Sequence, residues 1–331
     1  MTLRLEDKWV WDFWFAVDGD EYHVFYLQAP RSLGSPNLRH RHASIGHAVS
    51  TDLRTWSVLP DAVLPGTPGS WDDLAVWTGS VIRRGDTWYM FYTGISSRDQ
   101  GRVQRIGLAV SQDLIAWRKH PANPVLEADP RWYELLDLSR WRDQSWRDPW
   151  VFYVREDDSF HLLVTARVPY GPPDEAGVVG HAQSADLVNW TVLPPLTQPG
   201  EFAQAEVPQL VYYHDTYALL VSCLAEDHSR KRRAEMREVA QTGTFVAYAS
   251  DFRGPYTCFE GPLVPANNPL GPLYAGKLLH AGDQWWYFAF RGDDSREFHG
   301  ELIDPLRVGQ TASSRIAVER PRGWVHHDGQ D

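Results

Sequence analysis

One phrase recurs along the chain at long, similar intervals. It reads Ser50-Thr51-Asp52-Leu53-Arg54-Thr55-Trp56, Ser111-Gln112-Asp113-Leu114-Ile115-Ala116-Trp117 and Ser184-Ala185-Asp186-Leu187-Val188-Asn189-Trp190, with a degenerate fourth copy at Ser250-Asp251-Phe252. The aspartates lie 61, 73 and 65 residues apart. Each phrase follows a short small-residue strand such as Ile45-Gly46-His47-Ala48-Val49 or Ile106-Gly107-Leu108-Ala109-Val110. A strand that ends in a turn, where Asp bonds neighbouring backbone amides, and restarts at the Trp accounts for the pattern. Aromatic strands recur as well, at residues 21–26, 87–92, 159–164, 216–221 and 284–288. The two signals give five units of four strands each. Radial repetition of four-stranded antiparallel sheets is a propeller, here all-β and five-bladed over residues 1–320 as a single domain, and repetition lets 331 residues fold without a second core. A pair of ordinary β-sandwiches leaves the shared phrase unexplained, and a helical solenoid fails on strands rich in Val, Tyr, Phe and Trp. Residues 321–331 read as a disordered tail.

The formal charge of −11 argues against a nucleic-acid or anionic-membrane partner, which calls for clustered Lys and Arg, and leaves a neutral small molecule as the ligand class. No window is apolar for long enough to cross a bilayer. The first residues carry charges of both signs and lead straight to Trp9 and Asp12, so no leader is read and a cytoplasmic location is expected. Cys223 and Cys258 are too few for a disulfide framework and read as small buried hydrophobes. Sixteen Trp and fourteen Tyr are core material first, and in excess they supply flat faces for sugar rings.

Function enters through spacing. Asp12, Asp148 and Glu206 stand 10, 12 and 11 residues ahead of Tyr22, Phe160 and Tyr217, the first aromatics of their strands, and Trp77 and Tyr274 each stand 11 ahead of Trp88 and Trp285. With each aromatic strand second in its blade, these five positions open the strands that line the central channel. Three acids and two aromatics then face one axial pocket. Crowded like charges raise one another's pKa, and a purely structural channel has little use for them; three unrelated turn-capping carboxylates are the plainer alternative. Glycoside cleavage needs one carboxyl kept protonated for the leaving oxygen and one ionised to attack or to activate water. Arg147 beside Asp148 favours an ionised Asp148, whereas Ala203, Ala205, Val207 and Pro208 around Glu206 favour the protonated acid.

Trp11-Asp12-Phe13-Trp14, Trp77-Thr78-Gly79-Ser80, Arg147-Asp148-Pro149 and Glu206-Val207-Pro208-Gln209-Leu210 resemble, in this order, the signatures of glycoside hydrolase families 32 and 68, the invertases, inulinases, levanases and levansucrases. The resemblance implies a five-bladed propeller, a retaining mechanism and β-fructofuranoside substrates, sucrose or small fructans, with possible transfer to sugar acceptors. It further implies Asp12 as nucleophile, Glu206 as general acid/base and Asp148 as transition-state stabiliser supported by Arg147. Trp11, Trp77, Ser80, Arg147 and Tyr274 make up the sugar-binding set, joined by Gln28 from a connection expected to rim the pocket. No cofactor or metal is expected. The tryptophans flanking Asp12 are more similar to levansucrases, Glu206-Val207-Pro208 to the Glu-Cys-Pro of invertases, and the Asp that precedes Tyr-Ala in the clan is missing before Tyr274. The chain stops soon after its fifth unit, so the C-terminal β-sandwich common in family 32 is not expected. Two other readings stand beside this one: an arabinofuranosidase or xylosidase of the neighbouring propeller family 43, and a non-catalytic sugar-binding propeller, which the presence of all three acids disfavours.

Other residues invite a role. His40-Arg41-His42 with His47 suggests a metal site, but no carboxylate or Cys completes a ligand spacing, and His47 reads as a sheet residue. Trp71, Asp72 and Asp73 are candidates for the pocket rim. The charged run at 226–238 reads as a solvated loop or short helix, with a lid over the pocket as the alternative.

Overall fold

A computed structural model describes residues 3–236, 239–293, 298–319 and 321. Five antiparallel sheets follow one another in chain order. Blade 1 consists of Lys8–Asp18, Glu21–Pro30, Ser44–Ser50 and Ser57–Val63; blade 2 of Ala75–Arg84, Thr87–Ile95, Gln104–Ser111 and Arg118–Lys119. Blade 3 consists of Trp146–Val154, Ser159–Arg167, Gly177–Ser184 and Thr191–Leu193; blade 4 of Glu206–Tyr213, Thr216–Cys223 and Gly243–Ala249. Its fourth strand shrinks to a bridge between Val246 and Glu260. Blade 5 consists of Leu273–Ala281, Gln284–Asp293, Leu306–Gln310 and Ile316–Val318, with Phe298–Leu302 added against its second strand. The first strands of successive blades touch in a ring that runs back from blade 5 to blade 1, which makes the five-bladed all-β propeller expected from the repeats. The tail expected to be disordered lies outside the described residues, apart from Pro321.

The recurring phrase does what its chemistry suggests. Asp52 accepts the amides of Arg54 and Thr55, Asp113 those of Ile115 and Ala116, and Asp186 those of Val188 and Asn189, all within 2.7–2.9 Å. The turn forces the following leucine into left-handed backbone, with φ of 61° at Leu53, 62° at Leu114 and 71° at Leu187. That conformation strains a non-glycine residue, and burial of all three leucine side chains offsets it. The degenerate copy keeps one such bond, from Arg253 N to Asp251 at 2.8 Å, and buries Phe252 in the leucine's place.

The core is laid between blades. Phe91, Ile106 and Leu108 of blade 2 meet Leu162, Val164 and Val178 of blade 3; Leu163 and Val179 of blade 3 meet Leu219, Val221 and Phe245 of blade 4. Leu220 and Val246 of blade 4 meet Leu278 and Tyr287 of blade 5. The ring is clasped at its ends: Leu302 N donates to Leu3 O at 3.1 Å, and Arg31 donates to His299 O at 2.8 Å. Cys223 is buried in this core, but Cys258, in the segment leading into the Glu260 bridge, is exposed, which corrects the expectation that both are buried.

Candidate active site

All five innermost strands break register at the same height. The pairing skips between Trp11 and Phe13, between Trp77 and Gly79, between Arg147 and Trp150, between Glu206 and Gln209, and between Tyr274 and Lys277. Each skip is a β-bulge, which inserts a residue and re-aims its side chain. Asp12, Asp148, Val207 and Ala275 sit in these bulges with positive φ of 22°, 59°, 51° and 51°. In a regular strand adjacent side chains point to opposite faces. Here both members of each pair Trp11-Asp12, Trp77-Thr78, Arg147-Asp148 and Glu206-Val207 line one axial cavity of about 550 Å³, together with Tyr274.

Bulge amides are tied to the preceding blade. Asp148 N donates to Thr93 Oγ1 (3.0 Å), Val207 N to Thr165 Oγ1 (3.1 Å) and Gly276 N to Thr244 Oγ1 (2.9 Å). Within the pocket Thr78 Oγ1 donates to Asp12 Oδ2 at 3.0 Å. Asp148 Oδ2 accepts from Thr165 Oγ1 at 2.7 Å and from Val207 N at 3.2 Å. Glu206 is clamped between Arg147 Nη2 (2.6 Å to Oε1) and the Tyr274 hydroxyl (2.5 Å to Oε2).

These contacts divide the three acids. Burial, reinforced by the charges of Asp148 and Glu206, pushes Asp12 up to about 7 against the opposing effects of Thr78 and Arg39. Burial also raises Asp148, with Arg147 opposing it. Burial pushes Glu206 the same way, but Arg147 and Tyr274 outweigh it and hold this carboxyl below its usual value. Of the three carboxyls, Asp12 is thus the one whose proton balance lies near neutrality, while Glu206 is held toward its ionised form. Arg147 does lower Asp148, as its sequence position suggests, but burial outweighs it there, and the same guanidinium holds Glu206 toward its ionised form, which reverses the local-context reading of Glu206 as the protonated acid. The reason is inter-blade geometry: the guanidinium is 3.6 Å from Asp148 but extends across to Glu206, with Gln104 Oε1 (2.9 Å) and Gln204 Oε1 (2.8 Å) holding its plane.

Of the expected contact residues, Trp11, Trp77, Arg147 and Tyr274 line the pocket with the three acids. Gln28 and Ser80 do not. Gln28 lies inside the second strand of blade 1, buried, and bonds Lys8, Ser44 and Asp61; alternation turns its neighbour Leu27 to the cavity instead. Ser80 stands below the bulge, where its Oγ accepts Val151 N of blade 3 at 3.0 Å. Trp71, Asp72 and Asp73 are structural too: Trp71 packs over Gly94 and Gly107, Asp72 accepts from Tyr92 and Lys119, and Asp73 accepts the amides of Gly69 and Ser97. The histidines are parted, His40 at the pocket and His47 in blade 1 bonded to His23 at 2.8 Å and stacked on Phe25. Among the described residues no group of three or more His, Cys, Asp or Glu side chains forms a metal-holding cluster. Sequence reasoning missed Thr78, Arg39, Arg142, Asp143 and Asp293 as lining residues. Thr78 was recoverable from its place beside Trp77 once bulges are allowed for; the others come from connections and strand ends with no repeated signal. The run at 226–238 contributes Glu226 to the wall and forms a short helix at Arg230–Glu235, while residues 237 and 238 lie outside the described chain.

A ring of blades with three carboxylates at its axis defines the class, a propeller with its pocket at the inner-strand ends. Within it the chain belongs to glycosyl hydrolase family 32, whose N-terminal domain matches residues 14–261. Asp12 stands just ahead of the matched span. A cell-wall β-fructofuranosidase isozyme of Pisum sativum is 27% identical over 176 residues, 52% of this chain and 28% of that protein. The aligned part is thus less than a third of the relative's length. An inulosucrase from Halalkalicoccus jeotgali, solved with kestose bound, superposes with a TM-score of 0.76 at 23% identity, covering 95% of this chain and 87% of that one. An exo-1,5-α-L-arabinanase from a bovine ruminal metagenomic library superposes at 0.66 with 14% identity, covering 94% and 97%. At these identities the structural likeness is one of fold.

Proposed function

We propose that the chain cleaves β-D-fructofuranosides, sucrose or small fructans, through a covalent fructosyl–Asp12 intermediate, with transfer to a second sugar as a side reaction and no cofactor. The observation that carries this reading is the axial pocket itself, in which three carboxylates from blades 1, 3 and 4 converge and one of them, Glu206, is held between a guanidinium and a phenol.

Asp12 attacks the anomeric carbon. Glu206 protonates the departing oxygen and then, as a base, activates the water or sugar hydroxyl that releases the fructosyl group. Asp148, anchored by Thr165 and Val207 N, accepts sugar hydroxyls whose bonds strengthen as charge develops on the ring. Near neutrality the cluster's proton balance lies at Asp12, and with sugar bound the mechanism needs that proton on Glu206. A single proton shared by the cluster serves both states, and its macroscopic pKa values belong to the set.

Incubation with sucrose, inulin, levan and an aryl arabinofuranoside, with NMR of the first product, tests the proposal. Fructose released with retained anomeric configuration is the expected result. Arabinose alone moves the chain to the family 43 reading, inversion removes the covalent step, and no release from any of them leaves a sugar-binding propeller.

A further inference from the structure

Three positions beyond the residue that precedes each bulge stand Trp14, Ser80, Trp150, Gln209 and Lys277, opposite Phe25, Phe91, Leu163, Leu220 and Phe288 of the second strands. Three of the five reach forward to the next blade. Ser80 Oγ accepts Val151 N, Trp150 Nε1 donates to Leu210 O at 3.2 Å, and Gln209 exchanges bonds of 2.8 and 2.7 Å with Leu278 O and N. Lys277 reaches backward. Its Nζ donates to Val207 O at 2.9 Å and to Pro208 O at 3.2 Å, in the blade before its own.

Those two residues form the bulge that follows Glu206, so they stand off the ladder with the second strand of blade 4. The amide of Val207 is one of the donors to Asp148. One ammonium thus braces the peptide segment that carries Glu206 and orients a donor to Asp148. Lys277 is 2% exposed, and its Nζ lies 5.4 Å from the centre of the Trp150 ring. Burial lowers its pKa to about 7, while Asp148 and Asp12 work to keep it charged. The chain has only four lysines among its 32 basic residues, so a lysine here is not a default choice. A buried ammonium is costly unless it meets opposite charge, and Gln209, at the equivalent place in blade 4, shows that bonding to a neighbouring blade needs no charge.

We propose that Lys277 is a positioning residue of this site: it braces the Glu206–Pro208 bulge from beneath and, through Val207, whose carbonyl it holds and whose amide bonds Asp148, sets its positive charge behind the Asp148 and Asp12 carboxyls. This rests on the fructoside-cleaving site above, and the test separates the two. Lys277→Gln keeps an amide donor for the carbonyls and removes the charge. With carbon-13 labels in the Asp carboxyls, the titration midpoints of Asp12 and Asp148 are expected to move up by about half a pH unit or more, with the thermal midpoint within a few degrees of the native chain. This readout needs no turnover, so it stands even if the chain cleaves no fructoside. Superimposable titrations in a folded variant overturn the proposal. Should Lys277→Gln fail to fold, lysine labelled at Cε in the native chain and in Asp12→Asn decides. The Lys277 midpoint falls when Asp12 loses its charge if the two are coupled, and an unmoved midpoint overturns the inference.

Discussion

Aspartate recurs in two regions of this propeller, and the regions use it in opposite ways. At the turns after the third strands, Asp52, Asp113 and Asp186 are held below the usual carboxylate range, chiefly by the amides they accept. At the inner-strand bulges, Asp12 is pushed up by burial and by Asp148 and Glu206, and Asp148 by burial and by Glu206. The first group terminates strands in solvent and has all the donors it wants. The second sits where donors are rationed to one or two and other anions crowd in. A carboxylate whose ionised form is over-stabilised is a poor reagent, and one whose proton balance lies near neutrality suits bond-making chemistry.

The contrast breaks most sharply at Asp12. Asp12→Asn is expected to lower fructoside turnover by roughly 10⁴-fold or more, as loss of a nucleophile does, with an unchanged circular dichroism spectrum. Activity within tenfold of native, in a preparation free of other hydrolases, would remove Asp12 from the mechanism. Glu206→Ala comes next: loss of acid assistance costs about 10²- to 10⁴-fold on sucrose, but little in the first step for an aryl fructoside with a good leaving group. Azide should then speed release and give a fructosyl azide, and equal loss on both substrates without azide rescue would reassign the acid.

A smaller effect is expected in pH dependence. The cluster is competent with one proton, so kcat/KM falls as pH rises through the value near 7 at which Asp12 gives it up. Thr78→Val removes a bond to the ionised form of Asp12, which raises that pKa and shifts the alkaline limb upward. A limb that stays in place or moves down would detach Thr78 from Asp12. Smallest is Asp186→Ala, expected to lower the thermal midpoint by a few degrees and to leave kcat untouched. Asp186 lies at the outer end of its blade, so a large loss of turnover in a folded variant would erase the division between the two regions.

The fold was legible because its punctuation is chemical: Ser-x-Asp-Leu writes a turn wherever it occurs, and the aromatic strands keep their distance from it. The pocket was legible only to the nearest residue. Counting back from the aromatic strands reached Asp12 and Asp148 in two blades and Trp77, Glu206 and Tyr274 in the others, and these are two structural positions. The bulge erases the distinction in sequence by turning both of its flanking side chains inward. Gln28 and Ser80 were misplaced for the converse reason, since ordinary alternation governs them. The partnership of Arg147 with Glu206 was out of reach, because it joins residues from different blades that only the closed ring brings together.

The clasp between Leu3 and Leu302 also sets a timetable. A nascent chain that has emerged through blade 4 already carries all three acids, yet it lacks Tyr274 at the acid, Lys277 beneath it and the strand that receives Leu3. The strand that carries Asp12 precedes the other four innermost strands in chain order and must wait for the last blade before it has a neighbour on its open side. The three carboxylates therefore share one enclosed pocket only when the fifth blade closes the ring, and a ring still open at that seam carries the same groups without the vessel.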